Sequence, residues 1–379
     1  MSGRIYLDYN ATCVVRPEAE AAVLAALRLG GNASSIHAAG RAARAMIEDA
    51  REAVAALAGA RPQDVVFTSG GSEANALAIE SAVRAGSRRL IVGATEHASV
   101  LDTAAASGAV VELWPVDCNG VADLGWLAER LKGWTAEDGH PFVAVMAANN
   151  ETGVIQPLTD IAALVHEAEG WLHVDAVQAT GKIAIDAIPA DTIAISAHKI
   201  GGPQGSGALI LACDVALTRR AFGGGQERGR RGGTENLSGI AGFGAAAKAV
   251  SAAGVPTHAD WRDAVAEQLK AEAGVIVLGE GAPRLPNTLC FAAPGFASDL
   301  QVIALDLAGV MVSAGAACSS GKVKSSHVVE AMGHGDLGGC SLRVSSGWAT
   351  AEADWSSFVE AWLQAHARQS ARARHLVEA

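Results

Sequence analysis

The chain has 379 residues, half of them hydrophobic and 18% charged, with a formal net charge of −11. A sizeable core follows, enough for one large domain or a large and a small one. The acidic balance, with no long basic block, argues against direct contact with nucleic acid or an anionic membrane and favours a small-molecule role. The opening "MSGRIYLDYNATC" lacks the charged-then-apolar layout of a signal peptide, and no apolar run approaches the roughly 18 residues that span a bilayer, so a cytoplasmic protein is expected.

Through the first two thirds, short β-rich runs alternate with alanine-rich helical patterns. "DVVFTS", "RLIVGATEH", "AVVELWPVD", "FVAVMAANN", "WLHVDAVQ", "TIAISAHK" and "GALILA" read as strands, and "SEANALAIESAVRAG", "LGWLAERLKGW" and "DIAALVHEAEG" as helices. This alternation, with uniformly apolar strands, predicts an α/β fold on a mainly parallel sheet covered on both faces. "GVPTH" breaks the pattern near residue 255. The expected organisation is a large domain over 14–254 and a smaller α+β domain over 255–379 that takes in the N-terminal arm 1–13.

Six cysteines (Cys13, Cys118, Cys213, Cys290, Cys318, Cys340) show no C-x-x-C pair and no tight Cys/His grouping, so neither a disulfide framework nor a metal site is expected. Most read as reduced core residues. Cys318 does not, because "VSAGAACSSGKVKSS" (312–326) surrounds it with alanine, glycine and serine.

Polar residues collect where apolar strands end, the edge at which open parallel sheets bind ligands. In "FTSGGSEANALAI" a strand gives way through two glycines to a helix opened by Ser72 and Glu73, which offers free amides and a positive dipole end to an anion such as phosphate; a plain N-cap turn also accounts for Ser72. The stretch has neither the Walker lysine nor the G-x-G-x-x-G spacing. Asp175 ends the strand of "HVDAVQ" and calls for a cationic partner, met by a protonated pyridine nitrogen or an arginine, unless it caps a helix. Lys199 follows the strand of "TIAISAHK", where burial lowers an amine's pKa and suits it to a Schiff base, although a lone strand-end lysine is also a common surface charge. Phosphate turn, buried carboxylate and strand-end lysine together describe a site for pyridoxal 5′-phosphate.

With "YLDYNAT", "GNASSIHAAGRAAR", "TSGGSEANALAI", "TEHASVLD", "NNETGVIQ", "HVDAVQ", "SAHKIGGPQGSGAL", "GGGQERGRRGGTEN", "SAGAACSSG" and "SLRVSSG" in order, the chain closely resembles cysteine desulfurases of the NifS/IscS type, in the class-V aminotransferase group of fold-type I pyridoxal-phosphate enzymes. The resemblance implies conversion of L-cysteine to L-alanine with sulfur taken up by Cys318 as a persulfide. It implies Lys199 as the Schiff-base residue, Asp175 on the pyridine nitrogen, Asn150 and Gln178 near the ring hydroxyl, and His97 stacked on the ring as a proton shuttle. Gly71, Ser72, Ser196 and His198 would hold the phosphate, joined by Thr234 from the partner of a homodimer; Arg343 would clamp the substrate carboxylate with Asn32 assisting. The family's usual alanine-threonine in the phosphate turn is Gly71-Ser72 here. Lys322, Lys324 and His327 are candidates to favour the Cys318 thiolate. A sulfur-acceptor protein is the expected partner: an iron–sulfur scaffold, one of nitrogen fixation included, or a tRNA-thiolation factor. Alternatives are another class-V enzyme, a selenocysteine lyase or aminotransferase, or a non-catalytic scaffold. The Cys318 loop is expected to be among the most mobile parts of the chain.

Overall fold

The computed structural model describes residues 4–212, 215–254, 258–315 and 325–377. Its strands in chain order are β1 (Ile5–Tyr6), β2 (Val65–Thr68), β3 (Arg89–Gly93), β4 (Val110–Trp114), β5 (Phe142–Met146), β6 (Trp171–Asp175), β7 (Thr192–Ser196), β8 (Gly207–Leu211), β9 (Ile276–Val277), β10 (Thr288–Ala292), β11 (Val310–Met311) and β12 (Ser341–Ser345). The helices are α1 (Pro17–Leu29), α2 (Ala38–Leu57), α3 (Gly71–Arg84), α4 (Ala98–Ala106), α5 (Leu124–Lys132), α6 (Leu158–Glu167), α7 (Leu237–Ala253), α8 (Ala259–Ala273), α9 (Ser298–Leu307), α10 (His327–Ala331) and α11 (Glu352–Val377).

Seven strands form one sheet in the order β2-β8-β7-β6-β5-β3-β4. Alternate residues of its strands serve opposite faces. Ile91, Val143, Val145, Leu172, Val174 and Ile193 pack with Ile47, Ile161 and Phe243 of α2, α6 and α7. Leu90, Val92, Phe142 and Ala144 pack on the other side with Ile79, Val100 and Ala104 of α3 and α4. Every residue of β5, β6, β7 and β8 is buried, so no polar alternation survives in the sequence.

The sheet departs from a uniform parallel arrangement at β8, which runs antiparallel to both β2 and β7. Only residues 197–206 join β7 to β8, too few for the crossover that a parallel partner requires. At the opposite edge, β4 exposes Val110 and Leu113, and its Glu112 binds Arg89 and Arg130, placing charge where an unpaired strand would otherwise invite association.

A second core surrounds the antiparallel sheet β12-β10-β9, with Leu289, Phe291 and Leu342 against Trp355, Phe358 and Trp362 of α11. The N-terminal arm belongs to this core: β1 pairs in parallel with β11, and Leu7 is fully buried in it. The two cores meet along a backbone seam in which Ile155 donates to Pro283 and Leu285 to Gly153. The expected division at residue 254 adjoins residues 255–257, which lie outside the described ones. Among the described residues, no helix is long and apolar enough to cross a membrane.

Candidate active site

Strands β2, β3, β5, β6 and β7 all end on one edge, and the residues that follow line a cavity of about 830 Å³. Gly71, Ser72, His97, Asn150, Asp175, Gln178, Ser196, His198 and Lys199 reach it from the seven-stranded sheet, and Arg343 reaches it from β12 of the second core. With His327, whose Nε2 is 3.0 Å from the Glu96 carbonyl, eleven of the residues singled out in the sequence are thereby brought together. Asn32 and Thr234 do not line this cavity in the single chain; both are exposed, and Asn32 Oδ1 accepts from the Ser34 amide at 2.8 Å. Cys318, with Lys322 and Lys324, lies outside the described residues, so the expectation about its loop falls there too.

At one end lies an anion cradle. Helix α3 starts at Gly71 with no side chain capping it, so its first-turn amides remain available. A side cavity of about 310 Å³ continues past them and is lined by Ser69, Ser72, Ser196 and His198. The walls are close: a Cβ at Gly71 would meet Val177 Cγ2 at 2.6 Å, and one at Gly207 would meet the Gly70 carbonyl carbon at the same distance. Glu73, which also borders the cradle, is paired with Arg231 at 2.9 Å, so its charge is offset. His198 is pushed down to about 4, first by burial and then by Lys199, and contacts Thr12 Oγ1 at 3.1 Å as a neutral ring.

The cavity floor is built around Asn10. Lys199 Nζ donates to the carbonyls of Asn10 (2.6 Å) and Ala11 (2.9 Å). Burial, and then the Arg343 guanidinium, push its amine down to about 8 against the opposing pull of Asp8 and Asp175. Gln178 Nε2 donates to the Asn10 carbonyl at 2.9 Å, and Gln178 Oε1 accepts from Lys182 Nζ at 2.5 Å. Lys182 also donates to Asn10 Oδ1 at 2.8 Å; burial and the neighbouring Lys199 hold its amine well below the lysine range.

Asp175 accepts at both oxygens, from the Val177 amide at 2.9 Å and from Asn75 Nδ2 at 2.8 Å. His97 caps α4, its Nδ1 accepting from the Ser99 amide at 3.1 Å, and burial lowers its pKa although Asp175 pulls the other way. Arg343 donates to Asp8 Oδ1 (2.7 Å) and to the Asn150 carbonyl (3.0 Å); its buried Nε has no partner among the described residues. Toward the outer end, Glu151 accepts the Ser326 hydroxyl at 2.6 Å, and burial raises its carboxyl.

Asn10, Asn75, Glu151 and Lys182 were not assigned from sequence. Asn75 left a signal, since it stands three residues after Ser72 and so shares that residue's face of α3. Of the four cysteines among the described residues, Cys13, Cys290 and Cys340 are buried, the first with its thiol pushed up to about 11 by burial, and Cys118 is exposed. Cys213 lies outside the described residues.

Residues 5–358 match the family described as Aminotransferase class-V. The chain belongs to the class-V aminotransferase family. Within this family it falls among cysteine desulfurases of the NifS/IscS type. It is 42% identical over 340 residues to a cysteine desulfurase of Cereibacter sphaeroides, covering 87% of each chain. It is 36% identical over 382 residues to an IscS-like cysteine desulfurase of Mycobacterium tuberculosis, covering 96% of each. Its fold superposes on a NifS-like protein from Rickettsia africae with a TM-score of 0.87 at 30% identity, over 96% of this chain and 99% of that one. A class-V aminotransferase with this fold-type I architecture implies pyridoxal phosphate as the general cofactor.

Proposed function

We propose that the protein converts L-cysteine to L-alanine with pyridoxal 5′-phosphate, and that the departing sulfur is taken by Cys318 as a persulfide for delivery to an acceptor protein. The carrying observation is the convergence of an anion cradle, an accepting carboxylate and a lysine of lowered pKa on one cavity. The residues fit the cofactor. The first turn of α3, with Ser72, Ser196 and His198, would hold the phosphate, Asp175 would pair with the ring nitrogen, Gln178 and Asn150 would lie beside the ring, and Lys199 would supply the amine. When bound, the cofactor draws electrons from the substrate's Cα and so loosens the bonds around it.

The chain's own groups do the rest. Arg343 binds the substrate carboxylate, a role supported by its place on the cavity wall and by an Nε that has no partner among the described residues. Lys199, with His97, would move protons at the substrate's Cα and Cβ; an amine near 8 is poised for both directions at neutral pH. The Cys318 thiolate then forms an S–S bond with the substrate sulfur while the Cβ–S bond breaks, and the electron pair returns to the substrate carbon skeleton, which is protonated to alanine.

The protein acts as a homodimer in which Asn32 and Thr234 complete the sites across the interface. Both are exposed in the single chain, and the same segments expose Ile36 (91%) and Phe222 (81%), apolar side chains that a partner subunit covers. The second core with its N-terminal arm forms the small domain, bringing Arg343 to the large one.

The test is incubation of the loaded enzyme with L-cysteine and a reductant. Sulfide and alanine are expected in equal amounts, Lys199→Ala yields neither, and Cys318→Ala binds cofactor but releases no sulfide. Formation of pyruvate in place of alanine overturns the reaction assigned, and sulfide release by Cys318→Ala overturns the role of that cysteine.

A further inference from the structure

Strand β6 places His173 and Asp175 two residues apart, so both side chains face α3. Asn75 of α3 lies between them. His173 Nε2 is 3.0 Å from Asn75 Oδ1, and Asn75 Nδ2 donates to Asp175 Oδ2 at 2.8 Å and to Ser99 Oγ at 2.9 Å. Behind His173, its Nδ1 is 2.9 Å from Thr192 Oγ1, which accepts from the Trp171 indole at 3.0 Å. Ser99 Oγ is in turn 2.8 Å from His97 Nδ1. Trp171, Thr192, His173, Asn75 and Asp175 are all at least nine-tenths buried, whereas Ser99 is half-buried and His97 exposed.

The ends of this chain fix its direction. An indole N–H only donates, and an ionised carboxylate only accepts. Because Asp175 accepts from Asn75 Nδ2, Asn75 Oδ1 faces His173 and takes the Nε2 proton, which leaves Nδ1 of the neutral ring to accept from the Thr192 hydroxyl, itself accepting from Trp171. The Asn75 amide is thereby turned so that both its N–H groups face the site, one to Asp175 and one to Ser99. The Ser99 hydroxyl, having accepted, donates to His97 Nδ1, which already accepts the Ser99 amide, so the His97 proton sits on Nε2. We propose that His173 and Asn75 are positioning residues that aim the Asp175 carboxylate through a buried relay and, by a branch through the Ser99 hydroxyl, orient the His97 ring. The relay requires a neutral His173, and burial pushes that ring down to about 3. A chain polarised in one direction also strengthens its terminal bonds. The inference rests on the roles proposed above for Asp175 and His97.

The experiment compares His173→Leu, which removes donor and acceptor, with His173→Gln, which keeps one of each, and with Ser99→Ala, which cuts only the His97 branch. Cofactor affinity of each apoprotein is measured by titration with pyridoxal 5′-phosphate, and the visible absorbance of each loaded protein is followed from about pH 6 to 9. A hydrogen bond to a charged group is expected to cost His173→Leu between about tenfold and a hundredfold in cofactor affinity and in kcat. Its KM for cysteine stays within about threefold, and its absorbance becomes pH-dependent where the wild type's is flat, because the ring nitrogen no longer keeps its proton. His173→Gln recovers most of each loss; Ser99→Ala lowers kcat and leaves cofactor affinity unchanged. Indistinguishable leucine and glutamine variants, or a leucine variant with wild-type affinity and a flat absorbance, overturn the relay, and a wild-type kcat for Ser99→Ala overturns its His97 branch. If His173→Leu does not fold, Asn75→Ala with Asn75→Gln as its conservative partner gives the same readings. A wild-type protein that takes up no cofactor overturns the function itself and the inference with it, whereas a working wild type beside an unaffected His173→Leu overturns the inference alone.

Discussion

Lys199 sits among groups whose influences oppose one another: burial and Arg343 disfavour its charged form, while Asp8 and Asp175 favour it. Arg343→Leu removes a positive neighbour, leaves Asp8 without its 2.7 Å partner, and so shifts the balance toward the ammonium from both directions. The expected result is that the pH at which apoprotein captures pyridoxal phosphate rises above the wild-type midpoint, read by stopped-flow absorbance with the free cofactor common to both. A midpoint that stays or falls shows that Arg343 does not set the amine. The same variant loses the charged fork for the substrate, so KM for cysteine rises by roughly ten- to a hundredfold at saturating cofactor. Gly71 illustrates a different constraint. An alanine does not fit here unless Val177 moves, because its Cβ would press on Val177 Cγ2 at 2.6 Å. Gly71→Ala is expected to loosen cofactor binding, and Gly71→Ala with Val177→Ala to restore it, as measured by equilibrium titration of the apoproteins.

At the scale of elements, the loop that presents Thr234 is anchored by one buried ion pair. Glu227 takes both Arg51 Nη groups, at 2.8 and 2.9 Å, and accepts the Phe67 amide within β2. Glu227 and Arg228 hold positive φ angles of 48° and 55°, conformations that non-glycine residues keep only when their surroundings enforce them. Glu227→Ala strands a buried guanidinium and is expected to destabilise the apoprotein by about 3–5 kcal/mol, while Glu227→Leu with Arg51→Met recovers part of that loss. Thermal denaturation of the three proteins decides the matter, and an unshifted midpoint for Glu227→Ala removes the anchor. Nothing in "GGGQERGRRGGTEN" marks Glu227 as the buried residue among its charges, since its partner lies 176 positions earlier. The strand-end residues were legible for the opposite reason. A parallel sheet puts the carboxyl ends of its strands on one edge, so Asp175 and Lys199 could be placed from local pattern alone. The orientation of β8 was hidden because its five buried apolar residues look alike in either direction, and only the short link from β7 decides it.

Across the whole molecule, the buried polar groups that join helices to sheet were not anticipated, because sequence shows a histidine without showing its burial. Those groups govern the response to acid. His173 has an ordinary value of 6.5 and is held at about 3 in the fold. As pH falls below 6.5 the unfolded chain takes up a proton that the folded protein refuses, so stability falls continuously until the folded value is reached. Between pH 7 and pH 5 this single group removes about 2 kcal/mol. His198 and Lys182, also lowered by burial, act in the same direction, which puts the onset of acid destabilisation above the range where carboxylates titrate. His173→Gln isolates the one contribution, since glutamine does not titrate and the other groups remain. Urea denaturation of both apoproteins at pH 7 and pH 5 is expected to show the wild type losing about 2 kcal/mol more than the variant across that interval. Parallel losses would mean that His173 accepts its proton in the folded state, which would overturn the neutral ring that the relay to Asn75 and Asp175 requires.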